Sequence, residues 1–137
     1  MKKILFLLTI ILTKILLSAG DINIWFGPGR ADDTNSPYYN LMRFMDSATN
    51  SLYMAIHEID LISAAEKISQ VKNRGVYVEI LLEKKWINNE ENQAAIDILR
   101  KSGVKIIPDK KSSGLMHNKY IIADKKIQAI IILSLCY

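Results

Sequence analysis

Apolar residues change their spacing at regular intervals along the chain, and the alternation predicts strands separated by single helices. Ile22 to Phe26 reads as a strand, followed by the loop Gly27-Pro28-Gly29-Arg30 and the polar stretch Ala31 to Asn35. Ser36 can cap a helix with Pro37 at its first position, and Leu41, Phe44, Met45 and Ala48 then fall on one helical face. Leu52 to Ile59 predicts a second strand. Asp60 is set to cap the following helix, whose apolar positions are Leu61, Ala64, Ala65, Ile68 and Val71. Gly75 ends it, because glycine accepts the left-handed conformation common just past a helix terminus.

Val76 to Leu82 is β-branched and apolar enough for a central strand. After Lys84-Lys85-Trp86, the acidic pair Glu90-Glu91 suits a helix start, and Ala95, Ile98 and Leu99 form the apolar face of a helix closed by Gly103. Val104 to Ile107 predicts a fourth strand, cut by Pro108. The lysine-rich loop Asp109 to Gly114 leads into a fifth, Met116 to Ala123, then a turn at Asp124-Lys125-Lys126 and a last apolar run, Ile127 to Leu135. Strands joined through single helices need crossover connections. The implied fold class is α/β, a largely parallel or mixed sheet flanked by helices on both faces.

The first 20 residues follow a different rule. Lys2 and Lys3 precede the apolar run Ile4 to Thr13, then Ile15 to Leu17, and Ser18-Ala19-Gly20 supplies small residues suited to a cut before Asp21. That order is the pattern of a secretory signal peptide. Lys14 interrupts the run, which falls short of the roughly 20 apolar residues that span a bilayer. The expected organisation is a signal segment over 1–20, or an uncleaved anchor, and a single domain over 21–137. An exported chain, periplasmic or secreted, is the corresponding location.

This segment also changes the charge. The formal net charge is +4, but without Lys2, Lys3 and Lys14 the 18 basic residues become 15 against 14 acidic ones. A nearly neutral domain lacks the concentrated basic surface typical of nucleic-acid binders. Cys136 is the only cysteine, so no internal disulfide can form, and stability must come from the core or from association with another chain.

The chemistry concentrates in His117-Asn118-Lys119-Tyr120-Ile121-Ile122-Ala123-Asp124. On a strand, alternate side chains share a face, so His117 and Lys119 are expected on one side about 7 Å apart, with room for a phosphate between them. A neutral imidazole can attack phosphorus, and a fixed ammonium offsets the charge gathering on the phosphoryl oxygens. Such a pair needs no metal, and no cofactor is expected. Asp124 has the opposite parity, which suits it to bracing the strand end or the neighbouring turn rather than to touching substrate.

The spacing H-x-K-x-x-x-x-D, met by His117, Lys119 and Asp124, resembles the signature of the phospholipase D superfamily. The upstream chain is also similar to its half-domain: Trp25-Phe26-Gly27-Pro28, a helix ending near Asp46-Ser47-Ala48, Leu52-Tyr53-Met54-Ala55-Ile56, and Lys72-Asn73-Arg74-Gly75-Val76. The resemblance covers roughly Asn23 to Asp124. It implies a phosphohistidine mechanism at a site built from two motifs, one histidine attacking phosphorus while its counterpart protonates the leaving oxygen. His117 becomes nucleophile or acid and Lys119 a phosphate clamp. With one motif in the chain, the second comes from a homodimer or from a missing half-domain.

Family members continue into a Gly-Ser-x-Asn segment, where this sequence reads Lys125-Lys126-Ile127-Gln128 and on to Ser134 and Tyr137. The expectation is a domain incomplete at its C-terminus relative to the family. Three functions follow: a phosphodiesterase acting on phospholipid headgroup esters, a dimeric exported endonuclease, or an inactive half-domain. His57 is expected to be a satisfied structural histidine outside the site, and Trp25 and Trp86 to be buried. Lys101, Lys105, Lys110, Lys111, Lys125 and Lys126 are expected near the mouth of the site, where they can attract an anion or lie simply solvated.

Overall fold

The computed structural model describes residues 23–27, 30, 32–110 and 114–125, and the backbone of 127–130. The expected signal segment, Lys111, Lys126 and residues 131–137 lie outside them. No helix among the described residues is long and apolar enough to cross a membrane.

Helix α1 spans Pro37–Asp46, strand β1 Ser51–Ile56, helix α2 Ile62–Asn73 and strand β2 Tyr77–Leu82. A 3-10 turn at Lys84–Trp86 leads to helix α3, Glu90–Lys101, and strands β3, Lys105–Pro108, β4, Lys119–Ala123, and β5, Ile127–Ile130. Local chemistry accounts for the helix starts. The Ser36 hydroxyl accepts the Tyr39 N–H at 3.1 Å with Pro37 in the first turn, and the Asn89 side chain accepts the Glu91 N–H at 2.8 Å. The Arg74 guanidinium donates to the Asp46 carbonyl at 2.7 Å, tying the exit of α1 to the end of α2.

The five strands lie in the order β3-β2-β1-β4-β5. β1 runs parallel to β2, and β2 parallel to β3, while β4 returns antiparallel to β1 and β5 antiparallel to β4. The two crossovers step in the same direction across the sheet, and right-handed connections therefore set α2 and α3 on one face. There Leu52, Met54, Ile56, Val78, Ile80, Leu82, Ile121 and Ala123 join Leu41 and Met45 of α1, Ile68 and Val71 of α2, and Ile96 and Leu99 of α3 in one core. Burying each large side chain contributes on the order of 1.5–3 kcal/mol.

The mixed, helix-flanked α/β sheet is the architecture the segment order implied. Within the described residues, however, all three helices share the core on one face. The alternate face carries Tyr53, Leu81, Ile107 and Ile122, half-buried, and Tyr77, exposed beside Glu79. Glu79 accepts from the Tyr77 hydroxyl at 2.6 Å and from the Lys105 ammonium at 2.7 Å.

Several local expectations are corrected. Residues 23–27 form no strand; Ile24 is 70% and Phe26 88% exposed, so no described element buries their apolar faces. Leu61, not Asp60, occupies the cap position of α2 and supplies no side-chain bond, while Asp60 Oδ1 is buried without a hydrogen-bond partner. β3 includes Pro108, tolerable at a sheet edge where an absent N–H costs least. β4 begins at Lys119 rather than Met116: Lys119 pairs with Ile56, the last residue of β1, and no strand among the described residues pairs with 116–118.

Candidate functional site

The C-terminal ends of β1, β2 and β3 open onto three loops, and β4 enters from the same end. His57 follows β1, Glu83 and the turn Lys84–Trp86 follow β2, and His117 lies two residues before the start of β4. In α/β sheets this carboxyl edge is where loops meet around a ligand.

His117 is exposed and Lys119 half-buried, and Lys119 Nζ lies 3.0 Å from His117 Nε2. The strand-based separation is thus not the distance between the reacting groups, because His117 sits in the irregular segment before β4 and the lysine side chain bends back to it. An ammonium has donors and no acceptor, so the contact must be Nζ–H to the Nε2 lone pair, which leaves the imidazole proton on Nδ1. Together these groups present a neutral nitrogen nucleophile and a cation at one point on the surface. A phosphoryl oxygen can draw the ammonium away and free the lone pair.

Asp124 stands at the other end of β4, about 16 Å along the strand from Lys119 at the usual rise per residue. Its carboxylate accepts the N–H of Ser51 at 2.9 Å, of Asn50 at 2.7 Å and of Thr49 at 3.1 Å, together with the Thr49 hydroxyl at 2.8 Å. The Ser51 and Asn50 amides, then the Thr49 hydroxyl, hold its pKa far below the usual carboxylate range. Asp124 therefore braces the entry to β1 against the end of β4 and is remote from His117.

The lysines divide. Lys110 follows β3 at the His117 end, but Lys101, Lys105 and Lys125 fall at the opposite end of the sheet, and Lys105 pairs with Glu79. The cations that do reach the site end are Lys84 and Lys85, both exposed. They were not singled out because position relative to the carboxyl edge depends on strand direction, which composition does not carry. Trp25 is 44% exposed rather than buried.

Trp86 is half-buried and belongs to a cluster that the spacing of residues did not reveal. Its indole N–H donates to His57 Nε2 at 2.9 Å, and His57 Nδ1 lies 3.0 Å from the Met116 carbonyl. His57 is buried and both its nitrogens are engaged, as expected for a structural histidine, yet it is not outside the site. Its ring meets the His117 ring edge-on at 4.9 Å between centroids. Glu83, also buried, accepts the Met116 N–H at 2.8 Å. The available sequence signal was the position of His57 and Glu83, each the first residue after a buried parallel strand. Among the described residues no group of three or more His, Cys, Asp or Glu is placed to hold a metal ion.

The fold agrees with comparisons to known proteins. The crystal structure of Nuc from Salmonella typhimurium, a phospholipase D family member, superposes with a TM-score of 0.62 at 23% identity, covering 69% of this chain and 61% of that one. NucT from Helicobacter pylori gives 0.56 at 27% identity over 66% of this chain and 61% of its own. TrmBL2, an archaeal chromatin protein, gives 0.56 at 18% identity over 90% of this chain and 46% of its own. The chain therefore spans about three fifths of Nuc and NucT. No curated protein sequence matches it. The profile described as "Cardiolipin synthase, PLD-like domain" matches residues 41–133, most of the chain and the whole of β4 with His117 ahead of it, so the protein belongs to the family of phospholipase D-like domains.

Proposed function

We propose that this chain is a phosphodiesterase in which His117 Nε2 attacks phosphorus and Lys119 neutralises charge on the phosphoryl oxygens. The carrying observation is the exposed imidazole whose Nε2 accepts from the Lys119 ammonium at 3.0 Å. Attack forms an N–P bond as the bond to the leaving oxygen breaks, and that oxygen takes a proton from an acid on the opposite side. Water then cleaves the N–P bond and restores the imidazole. Asp124 contributes by fixing the far end of the strand.

The preferred substrate is a phospholipid headgroup ester. The family description, which names cardiolipin synthase, supports it, as do the nearly neutral charge of residues 21–137 and the signal-like N-terminus that would export the chain. Incubation with phosphatidylcholine and cardiolipin vesicles should release headgroup and phosphatidic acid, and His117→Ala should abolish the release. Equal release, or none from either protein, removes the lipid reading.

A second substrate class is favoured by one observation. Lys84, Lys85 and Lys110 are exposed at the His117 end, where cations can follow a nucleic-acid backbone. Plasmid cleavage in the presence of a chelator, weakened by added salt, would identify an endonuclease instead.

A further inference from the structure

Among the described residues the His117 segment has no strand partner, yet a nucleophile must be held to within about 0.5 Å of its productive position. From the geometry around Met116 we infer that His57 is a positioning residue for His117, locked by Trp86 and assisted by Glu83. The inference rests on the phosphodiesterase reading of His117.

The Met116 peptide, one residue before His117, is gripped from both ends. Glu83 takes its N–H at 2.8 Å, a charge-assisted bond made in a buried site, and His57 Nδ1 lies 3.0 Å from its carbonyl. The Met116 side chain is itself buried, 7% exposed. The carbonyl can only accept and the Trp86 indole N–H can only donate, so His57 is fixed as the neutral tautomer with its proton on Nδ1. The opposite tautomer would set two donors face to face and leave the carbonyl without a partner.

The same ring then limits where His117 can turn. The two imidazoles meet at 61° with centroids 4.9 Å apart, and Trp86 packs edge-on against His57 at 81° and 5.6 Å. Indole, structural imidazole and reactive imidazole form a run of edge-on ring contacts, in which His117 alone is exposed. Each supporting residue follows a strand of the core, His57 after β1 and Glu83 and Trp86 after β2, so the rigidity of the sheet reaches the reactive ring through them.

Two independent measurements test this. With bis(p-nitrophenyl) phosphate as the probe, His57→Ala should lower kcat by about 10–100-fold, as loss of supporting bonds does at other sites, while KM stays within about twofold. His57→Gln, which retains one donor and one acceptor, should recover most of kcat. A purely structural role would instead lower the fraction folded and leave kcat per folded molecule unchanged. The second measurement needs no activity. Ring-nitrogen NMR of the wild-type chain should show His57 as the Nδ1–H tautomer, and His57→Gln should shift the His117 ring protons through loss of the neighbouring ring.

An Nε2–H tautomer at His57, unmoved His117 resonances, or wild-type kcat in folded His57→Ala each overturns the assignment. If His57→Ala does not fold, the wild-type tautomer and the Gln variant decide. If the wild-type chain cleaves no phosphodiester, the phosphodiesterase reading fails, while the NMR result still reports whether His57 holds His117.

Discussion

Two residues carry the proposed reaction, and they differ in what their removal should do. His117 supplies the bond to phosphorus, whereas Lys119 acts only through charge and should leave the nucleophile in place when replaced. Lys119→Met is expected to lower kcat about 10²–10³-fold, the range for loss of a preorganised electrostatic contact, with the fold intact by circular dichroism. Asp124 should behave oppositely. It touches no reacting group, and its carboxylate satisfies three backbone amides and one hydroxyl. Because its folded pKa is depressed, its stabilisation is present above the unfolded value near ~3.9 and is lost as pH falls below that toward the folded value. Asp124→Asn should therefore lower the thermal midpoint at pH 7 by several degrees, and the gap from wild type should close as the pH approaches 2. A gap independent of pH would mean that the carboxylate charge is not what holds the turn. That Lys119 reaches His117 while Asp124 stands away from it was legible from parity, since one shares the alternation of His117 and the other breaks it. The engagement of His57 was not legible, because it depends on contacts among residues 29 and 59 positions apart.

At the scale of elements, spacing of apolar residues located all three helices, as well as β1 and β2, because each buries a continuous stripe in the core. It failed where burial is not what ends an element. Among the described residues the start of β4 coincides with the end of its neighbour β1, and the apolar side chains of the run at 23–27 stay exposed. The link after β4 shows a further determinant that hydrophobic pattern ignores. Asp124 and Lys125 have φ of 52° and 58°, both in the left-handed region. The aspartate is compensated by its bonds to the β1 entry, but a lysine at that angle brings its Cβ against the backbone. Lys125→Gly should raise the unfolding free energy by about 0.5–1 kcal/mol, the steric relief being partly offset by glycine's greater freedom in the unfolded chain. Urea unfolding with an unchanged m-value would verify this; a loss of stability would show that the lysine side chain makes a compensating contact.

For the whole molecule the decisive question is where the leaving oxygen finds its proton. In-line displacement sends that oxygen away on the side opposite the nucleophile, and Lys119, within 3.0 Å of His117 Nε2, lies on the nucleophile's side. His57 cannot supply the acid, since its single ring proton is committed to the Met116 carbonyl and it is buried. A second His117 from another copy of the chain, brought across a two-fold axis, would supply an imidazole from the required direction, and an isologous interface would then make one site from two chains. The stoichiometry of inactivation distinguishes this from a self-contained site. If subunits of wild-type protein are exchanged with an equal amount of His117→Ala, a site that needs both histidines survives only in wild-type pairs, so total activity falls to roughly a quarter of that of an all-wild-type sample at the same total concentration. A site complete within one chain retains half. Measured on phosphodiester substrate after verified exchange, activity following the square of the wild-type fraction supports the shared site, and a linear dependence returns the acid to the same chain as the nucleophile.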